Sequence, residues 1–218
     1  MQLLSVNVGR PEAVVIDGER VLTAIQKQPV VGPVRVTLLN LDGDRQADLR
    51  VHGGPDKAVY AYPVEHYVFW APALGNRDLP HGFFGENLTV TGMLETEVCI
   101  GDRYRIGTVL LEVSQPRTPC AKLAWRAGQQ DFIQRFSAAR RVGFYLRVVE
   151  EGELQAGAGI EQVAHDATSL PIDTVYRLRH GKTTAGEEGL LERAAALEAL
   201  TASWRDAIRR RLVKQASG

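Results

Sequence analysis

Cys120 is the residue of this chain best placed by its neighbours to do chemistry. It sits in the run Ser114-Gln-Pro-Arg-Thr-Pro-Cys120-Ala-Lys-Leu123, directly after the β-branched segment Val109–Val113. Pro116 and Pro119 bring no N–H donor and cannot extend a central strand, so the spacing predicts a stiff loop that leaves a sheet before Cys120. Residues 121–127 can then start a helical turn, which sets the thiol among oriented N–H dipoles, with Arg117, Lys122 and Arg126 adding positive charge. Both effects favour thiolate. A thiolate on a rigid loop can ligate a soft metal, attack an electrophile or carry a sulfur atom. Most free cysteines are simply small buried hydrophobes. That role suits Cys99, in the strand-like Glu97-Val-Cys-Ile-Gly101, better than Cys120.

A second segment, Val51-His-Gly-Gly-Pro-Asp-Lys57-Ala-Val-Tyr60, has the glycines and proline of a tight turn whose N–H groups can converge on an anion. His52 and Lys57 could add charge to that anion, and Asp56 could donate a proton or anchor a hydrogen bond. An ordinary hairpin turn with solvated charges explains the same pattern equally well. In Phe83-Phe-Gly-Glu-Asn-Leu-Thr-Val90, Asn87 offers a donor and an acceptor and Glu86 an acid or orienting group, though turn residues are the simpler reading. No GxGxxG, Walker loop, HExxH, GxSxG or CxxC occurs, and the five histidines show no metal-ligand spacing.

The elements that would hold these groups are mostly strands. Val34–Leu39, Ala58–Tyr62, Asn87–Val90, Val98–Ile100, Tyr104–Ile106, Val109–Val113 and Gly143–Val149 are short, β-branched or aromatic, and punctuated by Gly, Asp and Pro. This density predicts a closed or nearly closed barrel rather than βαβ units. Pro63–Trp70 and Asp131–Ala139 read as interrupting helices. Near residue 168 the pattern turns helical, with expected helices at Ile172–Arg179, Glu187–Ala199 and Ser203–Lys214. The chain is thus read as a mainly β, barrel-like domain with peripheral helices over 1–167, followed by an all-α three-helix module over 168–218, α+β overall.

With 26 basic and 26 acidic residues the formal charge is zero, which argues against a nucleic-acid binder. Trp204–Lys214 is locally basic, but Leu200, Trp204, Ile208 and Leu212 form an apolar stripe that a small bundle would bury. No apolar run reaches the ~18 residues of a membrane span, and no signal-peptide pattern opens the chain, so a cytoplasmic, thiol-reducing setting is expected.

Together, HGGPDKAVYAYPVEHY, FGENLTV and GDRYRIGTVLLEVSQPRTPCAKL resemble the YiiM-like branch of the MOSC-domain proteins over about residues 1–160, and the C-terminal helices resemble the three-helix module of that branch. The resemblance implies a β-barrel that binds the molybdenum cofactor, a pterin dithiolene with a phosphate tail. It implies Cys120 as the protein ligand to molybdenum, Asp56 as an acidic residue near the metal, and Asn87 as a cofactor contact. It also implies reduction of N-hydroxylated compounds, such as hydroxylamino-purine base analogues, by electrons from a separate flavoprotein. His52, Lys57, Gln115, Arg117 and Arg126 are added as proton or cofactor partners from their chemistry and position alone. Reducing N–OH to N–H takes two electrons and two protons, and Asp56 or His52 could supply a proton. MOSC domains also end cofactor sulfurases; no pyridoxal-phosphate sulfurase domain fits in this chain, which leaves a cofactor or sulfur carrier as the alternative. Whether the chain forms a homodimer is left open.

Overall fold

Strands begin at the second residue in the computed structural model, which describes residues 1–47, 53–75, 78–181 and 186–216. They are β1 (Gln2–Val8), β2 (Glu12–Ile16), β3 (Glu19–Thr23), β4 (Gln28–Pro29), β5 (Val34–Val36), β6 (Val59–Pro63), β7 (Leu88–Thr91), β8 (Arg103–Ile106), β9 (Val109–Pro116), β10 (Phe144–Glu150), β11 (Gly152–Leu154) and β12 (Ile160–Ala164). The helices are α1 (Glu65–Trp70), α2 (Ala121–Ala127), α3 (Phe132–Ala139), α4 (Ile172–His180), α5 (Glu188–Ala196) and α6 (Ala202–Ala216).

Eight strands form one mixed sheet in the order β12-β8-β9-β10-β6-β7-β1-β4, in which only β6 and β7 run parallel. β5 pairs with β11, and β2 with β3. The β2–β3 hairpin turns on Asp17 and Gly18, both at positive φ, as a two-residue turn matched to strand twist requires. Every residue of β6 is buried, because its sheet neighbours β10 and β7 leave it in the interior and packing covers both its faces.

The expected barrel closure is not found among the described residues. The two strands nearest the seam, β12 and β1, share one isolated bridge, Gln2 to Gly159, with backbone bonds from Leu3 N to Ala158 O (2.9 Å) and from Ile160 N to Met1 O (3.1 Å). Gly157 turns at φ 89°, so extended pairing resumes only at Ile160, where β12 is already committed to β8. The architecture is therefore α+β, a mixed sheet with several helices.

Two local expectations also change. Residues 98–100 form no strand, because the Asp102 carboxylate takes the Cys99 N–H (2.9 Å) and Leu170 O takes that of Ile100 (3.0 Å). Side-chain acceptors of this kind compete with ladders. Pro116 does not end the sheet: β9 runs through it and pairs Pro116 with Phe144 of β10. β8 accompanies β9 only as far as Glu112, so the missing N–H breaks no ladder bond on that side.

The C-terminal helices pack through Leu200, Trp204 and Ile208, all at most 1 % exposed, as the apolar stripe predicts. Basic side chains here serve the helices: Arg209 Nη2 donates to Ala195 O (3.2 Å) and Arg211 Nη2 to Gly181 O (2.5 Å). His180 packs with its ring centre 4.8 Å from that of Tyr176, tilted by 42°, and meets the Trp204 ring edge-on at 5.6 Å. Burial, and then Arg179 and Arg211, pull its pKa from 6.5 to about 4. The folded state thus favours neutral His180, so this contribution is fully present above pH 6.5 and is lost as pH falls toward 4. His180→Gln is expected to show a smaller drop in urea midpoint than the parent between pH 7 and pH 4.5; equal drops would remove His180 from the account.

Candidate functional site

The end of β9 and the start of β10 bring the Cys120 loop against the segment that follows β3. Gly143, at φ 68°, makes this approach possible, since a Cβ there would stand 2.5 Å from Ala61 O and 2.8 Å from the Tyr60 ring. Its carbonyl accepts the Arg117 N–H (3.2 Å), and its N–H donates to Glu95 Oε1 (2.7 Å). The loop is thereby pinned at both the Arg117 and the Gly143 ends.

Here a pocket open to solvent is lined by Thr23–Ile25, Lys27, Asp44–Ala47, Lys57, Tyr60, Gly85, Asn87, Arg117, Cys120, Lys122 and Tyr145. Among the described residues, five cationic side chains, Lys27, Arg45, Lys57, Arg117 and Lys122, face it against one carboxylate, Asp44. Cys120 is half-buried and sits at the N-cap of α2 with extended backbone, φ −136° and ψ 170°. A soft donor at the wall of a cationic pocket suits an anionic ligand that carries a thiophilic metal.

Arg117 is the most informative group. It is buried, its guanidinium lies 5.0 Å from the Tyr60 ring centre and 5.6 Å from that of Phe136, and its Nη1 has no hydrogen-bond partner among the described residues. Burial works against its charge, but the nearby acidic groups of Tyr60 and Cys120 favour it, and the net direction is upward, so the cation persists. A buried donor left unpaired is costly, on the order of 1–3 kcal/mol, which marks a place prepared for an acceptor. Arg117→Met, close in volume and uncharged, is therefore expected to leave the ligand-free protein as stable as before or more stable. It should weaken binding of inorganic pyrophosphate by roughly 10–100-fold, the scale of one charge-assisted hydrogen bond. A lower urea midpoint with unchanged pyrophosphate affinity would assign Arg117 to packing alone.

Asp44 organises the opposite wall. Its Oδ1 accepts from Lys27 Nζ (2.5 Å) and Gly9 N (2.7 Å), and its Oδ2 from Asn87 Nδ2 (2.9 Å). Burial pulls the Lys27 pKa down, although Asp44 opposes this. Asn87 lines the pocket, but its amide is occupied: Oδ1 accepts from Tyr60 N (3.1 Å) while Nδ2 serves Asp44. Burial, with Arg179 nearby, lowers the pKa of Lys57 as well.

The other expected site residues are placed differently. Cys120, Arg117, Lys57 and Asn87 meet at the pocket. Asp56 does not line it: its half-exposed carboxylate binds Arg147 (2.8 Å), which also holds Glu112 Oε1 (2.7 Å) and the Ala199 carbonyl (2.8 Å). Gln115 is likewise turned away, accepting from Thr201 Oγ1 (2.9 Å). Both residues therefore help dock the C-terminal helices on β9 and β10. Arg126 is not among the lining residues; it donates to Gln26 Oε1 (2.9 Å) and covers the Phe83 ring at 5.0 Å. Glu86 is fully buried, accepting from Tyr67 OH, Gly82 N (2.9 Å), Phe84 N (3.1 Å) and Thr89 Oγ1 (2.9 Å), so it braces the 82–89 turn. His52 lies outside the described residues. Lys27, Asp44, Arg45, Tyr60 and Tyr145 were not expected as site residues; Lys27 and the Asp42-Gly-Asp-Arg45 turn carry the charge that could have drawn attention to them.

The MOSC domain pattern matches residues 48–161, and the YiiM-like 3-alpha helix domain matches residues 182–215. Uncharacterized protein YflK of Bacillus subtilis is 41 % identical over 205 residues, 93 % of this chain and 90 % of that protein. YiiM from Geobacillus stearothermophilus, solved by crystallography, superimposes with a TM-score of 0.80 at 37 % identity, covering 97 % of this chain and 98 % of that one. A protein of Gibberella moniliformis named a reductase is 40 % identical over 179 residues, 81 % of this chain but only 32 % of its own length.

Proposed function

From the premise that this chain belongs to the MOSC-domain family, in its YiiM-like branch, we propose that it is a molybdenum-cofactor-dependent reductase of N-hydroxylated compounds. The observation that carries the reading is that Cys120 shares one cationic pocket with the buried Arg117 Nη1, which has no hydrogen-bond partner among the described residues. The cofactor needs a soft protein donor for its metal and cationic donors for its phosphate, and the lining holds both. Cys120 would hold molybdenum, and Arg117 and Arg45 would hold the anionic tail. When bound, the cofactor would supply the two-electron redox chemistry that removal of the hydroxyl requires. The reductase named among the relatives supports a redox role of this kind.

The chain's own residues would bind, orient and protonate. Tyr60 and Tyr145, whose ring centres stand 5.3 Å apart, would form an aromatic wall against which a planar base can lie. Lys57 Nζ, its pKa lowered by burial, is a better acid than a surface ammonium and is the proposed proton donor to the departing hydroxyl. Asp56, engaged by Arg147, is instead a positioning residue for the turn that carries Lys57. A separate flavoprotein is proposed as the electron source.

The test is protein made in a cofactor-competent host, assayed for molybdenum and pterin and then for conversion of a hydroxylamino-purine to the aminopurine with a chemically reduced dye. Near-stoichiometric cofactor with turnover supports the reading. Cofactor without turnover of any N-hydroxylated substrate would replace it with a carrier role.

A further inference from the structure

We propose that Cys99, Asp102 and His165 form a binding site for a single thiophilic divalent cation of the zinc class, separate from the Cys120 pocket. Each side chain offers one ligand atom, and the three atoms lie within 4.8 Å of one another, the only such group among the described residues. One sulfur, one imidazole nitrogen and one carboxylate oxygen make a donor set that zinc accepts, with a fourth position left for water.

The groups around the cluster are arranged as an ion would need. Asp102 is fully buried, and its Oδ2 accepts from Cys99 N (2.9 Å) and Tyr104 OH (3.2 Å), which fixes the carboxylate and leaves Oδ1 to face His165 Nδ1 at 2.7 Å. Outer hydrogen bonds of this kind orient metal ligands. The thiol donates weakly to Glu97 O at 3.6 Å, a contact that a cation would easily displace. His165, 46 % exposed at its side chain, borders an open cleft. Its ring must open from 2.7 Å to about 3.3 Å from Oδ1 to give zinc bonds of roughly 2.0–2.1 Å. The cations bordering that cleft are engaged elsewhere, Arg103 with Glu112 (2.7 Å) and Arg193 with Thr168 O (2.8 Å).

The charge accounting is simple. The ion replaces the Cys99 thiol proton, which leaves to solvent, and His165 presents a bare Nδ1 to it with its ring proton on Nε2. The ion would tie the 95–102 turn to the connector between β12 and α4. That junction already carries the Cys99–Pro171 bridge, Ile100 N to Leu170 O (3.0 Å) and Ser169 Oγ to Ile100 O (2.5 Å). A cation here would set the attachment of the C-terminal helices.

Cobalt(II) titration of the full chain tests this, because thiolate ligation gives a near-ultraviolet charge-transfer band and tetrahedral coordination gives intense visible bands. Both should saturate at one equivalent in the parent and in Cys120→Ser. The charge-transfer band should vanish in Cys99→Ala. Since a buried position can fail to fold when changed, His165→Ala, at a half-exposed ring, is the second variant; it should bind at least about tenfold more weakly. No charge-transfer band in the parent, loss of the band in Cys120→Ser, its survival in Cys99→Ala, or unchanged affinity in His165→Ala would each overturn the proposal.

Discussion

Replacing Cys120 by serine is expected to remove molybdenum and turnover while leaving stability unchanged or slightly higher. The two effects separate because the thiol is the proposed metal donor, while its position at the helix cap suits serine. As N-cap of α2 it has the extended backbone of a capping residue but makes no side-chain cap bond. Serine is a good N-cap, worth up to about 1 kcal/mol where its hydroxyl reaches an N–H, so the fold has no reason to suffer. The hydroxyl is a hard, protonated donor and a poor replacement for a thiolate on a soft site. Loss of outer partners alone weakens metal sites by about 10–100-fold, and loss of the ligand itself should exceed that range. Molybdenum content beside a thermal melt reads both effects. A variant that keeps its metal and its activity would sink the assignment of Cys120, whatever its stability.

Residues near Cys120 were legible because their chemistry is local. The Ser114–Leu123 run contains its own donor, its own cation and the prolines that stiffen it, and the structure brings Arg117 and Cys120 to the same pocket. The opposite wall was not legible. Lys27, Asp44 and Arg45 come from the stretch between β3 and β6, which has little periodicity, and they reach the site only because Asp44 is held by Gly9, Lys27 and Asn87. Asp56 and Gln115 show the converse. Their types suit a catalytic site, but Arg147 and Thr201, 91 and 86 residues away, decide where they point. Composition carries no signal for such partners.

The fold divides along the same line. Core strands such as β6 and β10, and the Leu200–Trp204–Ile208 stripe, follow from hydrophobic pattern because burial decides them. The 98–100 segment has strand composition yet loses its N–H groups to Asp102 and Leu170. The β2–β3 hairpin is within reach of sequence reasoning: Val14-Val-Ile-Asp-Gly-Glu-Arg-Val21 places an Asp-Gly pair between β-branched runs, the strongest short hairpin signal there is. Barrel closure depends on whether β12 reaches β1 over several residues, a matter of register that strand density does not encode.

Asp44→Ala is expected to be the most destabilising single change at the pocket, at about 3–5 kcal/mol, a large part of the stability of an ordinary domain. Asp44 is 1 % exposed and Lys27 is 8 % exposed. Removing the carboxylate strands a buried ammonium and leaves Gly9 N and Asn87 Nδ2 without their acceptor. Lys27→Met should cost much less, because Asp44 keeps those two donors and loses only its ion partner. The double variant Lys27→Met/Asp44→Ala should then recover part of the Asp44→Ala loss, since no buried cation remains to be compensated; a double-mutant cycle in urea measures that coupling. Strictly additive losses would show that the pair is not energetically linked, and a cost below about 1 kcal/mol for Asp44→Ala would show that water satisfies Lys27 in its place. If the coupling is found, it also explains why one acid persists in a pocket of cations. Asp44 fixes Lys27 and the Asn87 amide, so that Arg117, Arg45, Lys57 and Lys122 can present net positive charge from a wall that does not move.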